Sequence, residues 1–119
     1  MMGNKYDVKM TPQALRQMQE TKQYIRVTLQ APNSAQKWLE QMKKEISTLS
    51  SMPARIPLVE DEPWHTQGIH KMAVRNHLVY FWIDDDNFRV WVIAVIYGRR
   101  DQREQLEELG IPPGNAKNL

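Results

Sequence analysis

The nine residues "RVWVIAVIY", Arg89 to Tyr97, constrain the fold more than any other stretch. Five are β-branched and two are aromatic, which is the chemistry of a strand. Beyond Arg89, neither alternate set is polar, so both faces of this strand need apolar cover. It is therefore expected at the centre of the sheet. The run then stops at Tyr97-Gly98 and passes at once into Arg99-Arg100-Asp101.

The rest of the chain supplies the layers. "KYDVKM" alternates Tyr6, Val8 and Met10 against Lys5, Asp7 and Lys9, a short amphipathic strand expected to pair with the sheet. "TPQALRQ" starts a helix with Thr11 as cap and Pro12 at the first position. Leu15, Met18, Ile25 and Leu29 mark its apolar stripe. The helix is expected to end near Gln30, because Pro32 disfavours helical geometry at Ala31. "APNSA" links it to a second helix, capped by Asn33 or Ser34, with Ala35, Trp38, Leu39, Met42, Ile46 and Leu49 on one face. So short a link predicts an antiparallel helical hairpin. "SSMPARIPLVEDEPWHTQG" has three prolines and no period, and reads as a long loop. "IHKMAV" and "HLVYFWI" read as strands joined by a tight turn at Arg75-Asn76. "DDDNF" is a polar loop before the last strand. "REQLEEL" makes one or two helical turns.

The expected class is α+β, in the order β-α-α-β-β-β: an antiparallel meander, a helical hairpin on one face, the other face partly open, and a short C-terminal helix. Residues 1–109 form one domain, and 110–119 read as a flexible tail.

Composition narrows the function. No apolar run approaches the roughly 18–20 residues that span a bilayer, and "MMGNKYDVKM" has no apolar signal core. With no cysteine, disulfides, thiolate metal sites and a cysteine nucleophile are excluded. A cytoplasmic protein without membrane partners is expected. The net charge of +2 is too mild to imply nucleic acid by itself. Its placement says more. Between Trp64 and Arg103 the bases Lys71, Arg75, Arg89, Arg99, Arg100 and Arg103 share the segment with all three histidines. The acids there cluster at Asp84-Asp85-Asp86, plus Asp101.

Alternation sorts the strand residues by face. Ile69, Lys71 and Ala73 oppose His70, Met72 and Val74. His77, Val79, Phe81 and Ile83 oppose Leu78, Tyr80 and Trp82. If Val90, Val92, Ala94 and Ile96 pack on the helices, Trp91 and Tyr97 lie on the open face. Lys71, Arg75, His77, Arg99 and Arg100 then pool near one end of that face, with Tyr97 beside them. No metal-binding histidine spacing, phosphate loop or nucleophile elbow is present. No cofactor or metal is expected. The available groups suit metal-free phosphodiester cleavage, in which one group takes the 2′-hydroxyl proton, one protonates the leaving oxygen, and cations hold the phosphate.

At this point the chain resembles the RelE/ParE superfamily of type II toxin–antitoxin toxins, over roughly Tyr6 to Leu106. Three stretches carry the resemblance. "MTPQALRQMQETKQYIRVTLQAPNSAQKWLEQMKKEISTLSSMP" looks like the helical hairpin, "GIHKMAVRNHLVYFWID" like the paired strands, and "VWVIAVIYGRRD" like the last strand with its basic exit. The resemblance implies a compact toxin neutralised by a cognate antitoxin. It also implies one of two targets: mRNA cleaved on the ribosome, or DNA gyrase. Lys71 matches a lysine of the cleaving branch, with one residue of gap. His77 stands where that branch has an arginine, and Arg99 or Arg100 matches the arginine after the last strand. The branch's C-terminal aromatic is missing, since Leu106 falls about there. The long hairpin looks more like the gyrase-directed branch. The pooled Lys71, Arg75, His77, Arg99, Arg100 and Tyr97 favour a metal-independent mRNA endoribonuclease. The alternatives are gyrase inhibition and a non-toxic module that only binds antitoxin.

Overall fold

The structure, a computed structural model, describes residues 5–98. The expected helix after the last strand, the 110–119 tail, and Arg99, Arg100 and Asp101 lie outside those residues.

Strand β1 (Asp7–Met10) leads into α1 (Pro12–Gln23). Thr11 makes this corner. Its hydroxyl accepts the Ala14 N–H at 3.2 Å, satisfying one of the donors a helix start leaves open. Helix α1 does not run regularly to Gln30. It changes at Tyr24–Thr28 to a π-helical stretch, where Leu29 N–H reaches the Tyr24 carbonyl at 3.1 Å. Gln30 closes the turn at φ 51°. The following helix, α2 (Pro32–Ser47), begins earlier than Asn33 or Ser34 would place it. Pro32 occupies its first turn and Ala31 stands at the cap without a side-chain bond. Proline's fixed φ starts this helix in place of a polar cap.

The sheet adds β2 (Ile69–Val74), β3 (His77–Asp84) and β4 (Arg89–Tyr97), in spatial order β1-β4-β3-β2. Strands β2, β3 and β4 form the expected antiparallel meander, and β1 adds to it parallel to β4. The apolar β4 is thus central. Within it the register against β3 slips by one: Tyr80 pairs with Ala94, but Phe81 pairs with Val92. Ile93 is the extra residue of a β-bulge.

The bulge reverses the alternation that the sequence suggested. Before it, Val90 and Val92 face the helices; after it, Val95 does, while Ala94 and Ile96 face away. Tyr97 therefore moves to the helix-covered side, away from the face Trp91 shares.

Two apolar cores result, one on each side of the sheet. On the helix side, Ala14, Met18, Leu39, Met42, Ile46 and Leu49 pack on Met72, Val79, Phe81, Val90, Val92 and Val95. Full burial of side chains of this size stabilises by about 1.5–3 kcal/mol each. Met18 of the expected α1 stripe is buried, but Leu15 is 49% exposed and Leu29 54%, and Ala14 makes the contact beside Met18. On the far side the face is not left open. The long loop lays Val59 and Trp64 on Ile69, Tyr80, Trp82 and Ile93. The loop is stitched to the edge of β2 by Val59 N–H to the Ile69 carbonyl (2.8 Å) and Lys71 N–H to the Pro57 carbonyl (3.3 Å).

Candidate functional site

Where β3 begins and β4 ends, the helical hairpin and the sheet diverge. The gap is a cleft of about 1090 Å³. Tyr24, Ile25 and Leu29 form one wall from the π-helical tip, and Trp38 enters from α2. Val95, Ile96 and Tyr97 form the sheet wall, and Arg75, Asn76 and His77 close the hairpin end. Gln17, Glu20 and Thr21 complete it from α1.

Local geometry explains why these residues meet. His77 pairs with Val74 across the β2–β3 turn and with Tyr97 on β4. The turn's left-handed residue is Arg75, at φ 54°. Gly98 N–H donates to the Asn76 carbonyl at 2.8 Å, which ties the exit of β4 to that turn. A Cβ at Gly98 would lie 3.2 Å from the same oxygen, so the approach suits glycine. Just past the bulge, the Val95 N–H donates to Gln17 Oε1 at 2.8 Å, linking β4 to α1.

His77 sits at the centre, 8% exposed. Its ring lies 5.3 Å from Trp38 and 5.6 Å from Tyr97, tilted by 58° to both. Burial pushes its pKa below the ordinary 6.5, so the imidazole is neutral at pH 7. His77 Nδ1 and Trp38 Nε1 are both buried without a hydrogen-bond partner. Such groups are few in native proteins, and each costs about 1–3 kcal/mol.

The structure brings three of the sequence-derived site residues together: Arg75, His77 and Tyr97 line the cleft. Lys71 is not with them. It points to the loop-covered face, paired with Tyr80 and alternating with buried Ile69. Pooling Lys71 with His77 therefore does not hold: they occupy opposite faces, because β2 and β3 pair in a register that alternation keeps strict. Sequence reasoning missed Trp38, Tyr24 and Leu29 as cleft residues, having assigned Trp38 and Leu29 to core stripes. The tyrosine among apolar residues near the hairpin tip was the available signal.

The other two histidines serve the loop. His70 Nδ1 donates to the Ile56 carbonyl at 2.7 Å, and its ring stacks on Phe81 at 5.0 Å. Burial lowers its pKa, and this outweighs the opposing pulls of that hydrogen bond and of Asp85. His65 Nδ1 reaches the Val59 carbonyl at 2.9 Å. On the loop-covered face burial pushes the Tyr80 phenol up to about 12, helped by the charge of Asp61. At the opposite end of the sheet, Tyr6 OH donates to Asp85 Oδ1 at 2.7 Å, and this bond raises the phenol's pKa. Among the described residues, no three histidine, aspartate or glutamate side chains converge as metal ligands, and no helix is long and apolar enough to cross a membrane.

This arrangement has solved counterparts. A chain from the chromosomal ParDE toxin–antitoxin system of P. aeruginosa superposes with a TM-score of 0.65 at 13% identity, covering 80% of this chain and 98% of that one. A mutant of the E. coli toxin RelE in the free state gives 0.57 at 17% identity, covering 85% and 92%. The RelBE2 toxin–antitoxin complex of Mycobacterium tuberculosis gives 0.56 at 17% identity, covering 79% and 92%. At such identities the likeness is one of fold: the α+β architecture of RelE/ParE toxins. No curated protein matches the sequence significantly. The family model "ParE toxin of type II toxin-antitoxin system, parDE" matches residues 8–102. The chain belongs to this family of toxins.

Proposed function

We propose that this toxin arrests growth in the cytoplasm by binding a protein target, as the gyrase-directed branch of the superfamily does, and that a cognate antitoxin neutralises it. The observation carrying the choice of target is the separation of Lys71 from His77 by the thickness of the sheet. Metal-free RNA cleavage needs a proton-transfer group and cations around one phosphate. Here the buried, neutral His77 has an unpartnered ring nitrogen, and Lys71 stands on the opposite face of the sheet. The family match over residues 8–102 adds support.

A second reading, ribosome-dependent mRNA cleavage, draws on the meeting of Arg75, His77 and Tyr97 at one cleft, with Arg99-Arg100 next in sequence. Lys71 would have no part in that site. Two assays on one purified sample separate the readings: DNA supercoiling by gyrase, and mapping of mRNA ends on translating ribosomes. Blocked supercoiling with intact mRNA is expected. Cleaved mRNA with unaffected supercoiling, abolished by Arg100→Ala and His77→Ala, establishes the second reading instead.

A further inference from the structure

Charge is not spread evenly over the described residues. Residues 21–38 run from the end of α1 through the π-helical tip into α2, and hold Lys22, Arg26 and Lys37 with no acid. Arg75 faces them across the cleft, at the end of the sheet where β3 begins. Arg26 donates to the neutral Gln23 Oε1 at 3.1 Å, and among the described residues none of these four cations forms an ion pair. The acids gather at the other end. Glu60, Asp61 and Glu62 follow Val59, which is bonded to the first residue of β2, and Asp84, Asp85 and Asp86 close β3. Asp85 accepts from Tyr6 and its charge reaches His70, while that of Asp61 reaches Tyr80. The length of β3 separates the two ends, about 26 Å at 3.2–3.4 Å per residue.

The positive end also carries apolar groups in the open. Val27 is 51% exposed, beside Tyr24 and Leu29, and no residue of Tyr24–Thr28 is buried. Arg26 and Val27 lie outside the cleft, so the tip presents a surface of its own. Gln30 turns the chain back at φ 51°, a conformation that non-glycine residues seldom take, and π-helical turns recur at functional sites. An apolar centre within a charged rim is the anatomy of a protein interface, where tyrosine and arginine are enriched. A nucleic-acid groove carries a denser row of cations, because neutralising the backbone supplies most of its affinity. Four cations around three apolar side chains suit an acidic protein surface with an apolar centre.

We propose that the hairpin tip, with Val27, Tyr24 and Leu29 at its centre and Lys22, Arg26 and Arg75 around them, is the surface with which the chain docks an acidic patch on its protein target. The proposal rests on the protein-target reading and adds to it a location and a recognition chemistry. The acidic end of the sheet serves the same purpose by repulsion: like charge turns it away from the target, so the molecule approaches tip first.

The test uses the full-length chain and, as probe, purified DNA gyrase, the target of the reading above. Association and dissociation rates are followed by surface plasmon resonance, with supercoiling assayed in parallel and Tm confirming that each variant is folded. The wild-type association rate is expected to fall steeply as salt rises. Lys22→Glu combined with Arg26→Glu is expected to slow association at low salt about 10-fold or more, with little change in dissociation. Val27→Asp, at an exposed position outside the core, is expected to speed dissociation about 30-fold or more, as loss of an interface hot spot does. Lys43→Glu reverses a charge on an exposed part of α2 away from the tip, and both rates are expected to stay as in the wild type. Tip variants that bind gyrase and block supercoiling like the wild type overturn the tip as the docking surface and leave the protein-target reading intact. An equal loss in Lys43→Glu assigns the effect to net charge and also overturns the proposal. Binding of the wild-type chain to duplex DNA alone, abolished by the tip substitutions, gives the surface to nucleic acid instead. A wild-type chain that neither binds gyrase nor blocks supercoiling overturns the protein-target reading itself.

Discussion

The two faces of the sheet are covered by different means. On one, α1 and α2 lay down side chains at helical spacing, and α2 alone supplies buried Ala35, Leu39, Met42 and Ile46. On the other, an irregular loop does the work with two buried anchors, Val59 and Trp64, tied to β2 by main-chain bonds and by His70. The helical cover parts from the sheet at one end. The loop follows the strands. The cleft lies at that parting, and the bulge at Ile93 turns Tyr97 into it.

The largest expected effect tests whether the loop is a true second layer. Trp64→Ala is expected to destabilise the chain by about 3–5 kcal/mol, as truncation of a buried aromatic does. A loss below about 1 kcal/mol in chemical denaturation would mean that the loop is merely draped over the face. On the helix side, Met42→Ala is expected to lose about 2–5 kcal/mol by the same measurement. A much smaller loss there would reverse the contrast between the two covers.

His77→Phe works in the opposite direction. It replaces a buried, unpartnered nitrogen with carbon, and a gain of about 1 kcal/mol is expected, read as a rise in Tm. The pH dependence follows from the same burial. Both His70 and His77 have folded pKa values below 6.5, so the unfolded chain binds more protons as pH falls through that value. Stability is therefore full above about pH 6.5 and declines from there down to the lowered folded pKa values. In His77→Phe the decline is expected to shrink, leaving the part due to His70. A wild-type Tm that is flat or rising as the pH drops from 7.5 to 5.5 contradicts the burial argument. The smallest effect belongs to the exposed end: Tyr6→Phe removes the bond to Asp85 and is expected to change stability by less than about 0.5 kcal/mol.

Much of the helix-covered face was legible because its signals are periodic. The stripe of α2 reads directly as Ala35, Leu39, Met42 and Ile46, and Thr11 with Pro12 marks the start of α1. What failed to read has specific causes. In "VWVIAVIY" nearly every position is apolar, so alternation carries no phase and the bulge is invisible; the face of Tyr97 could not follow. The π-helical stretch shifts the hairpin tip by a fraction of a turn, which moves Leu29 from an expected core stripe to the rim. Burial in the loop depends on Val59 and Trp64, whose positions obey no period. Of the site, the adjacency of Arg75 and His77 could be read from the hairpin. The placement of Lys71 on the other face follows from the β2–β3 register, which pairs Val74 with His77 and Lys71 with Tyr80.

The most direct test of the toxin reading is controlled expression in a bacterium that lacks the adjacent reading frame. Arrest of growth within a few generations is expected, with restoration when that frame is co-expressed. Unimpeded growth, with the folded chain confirmed to accumulate, contradicts it.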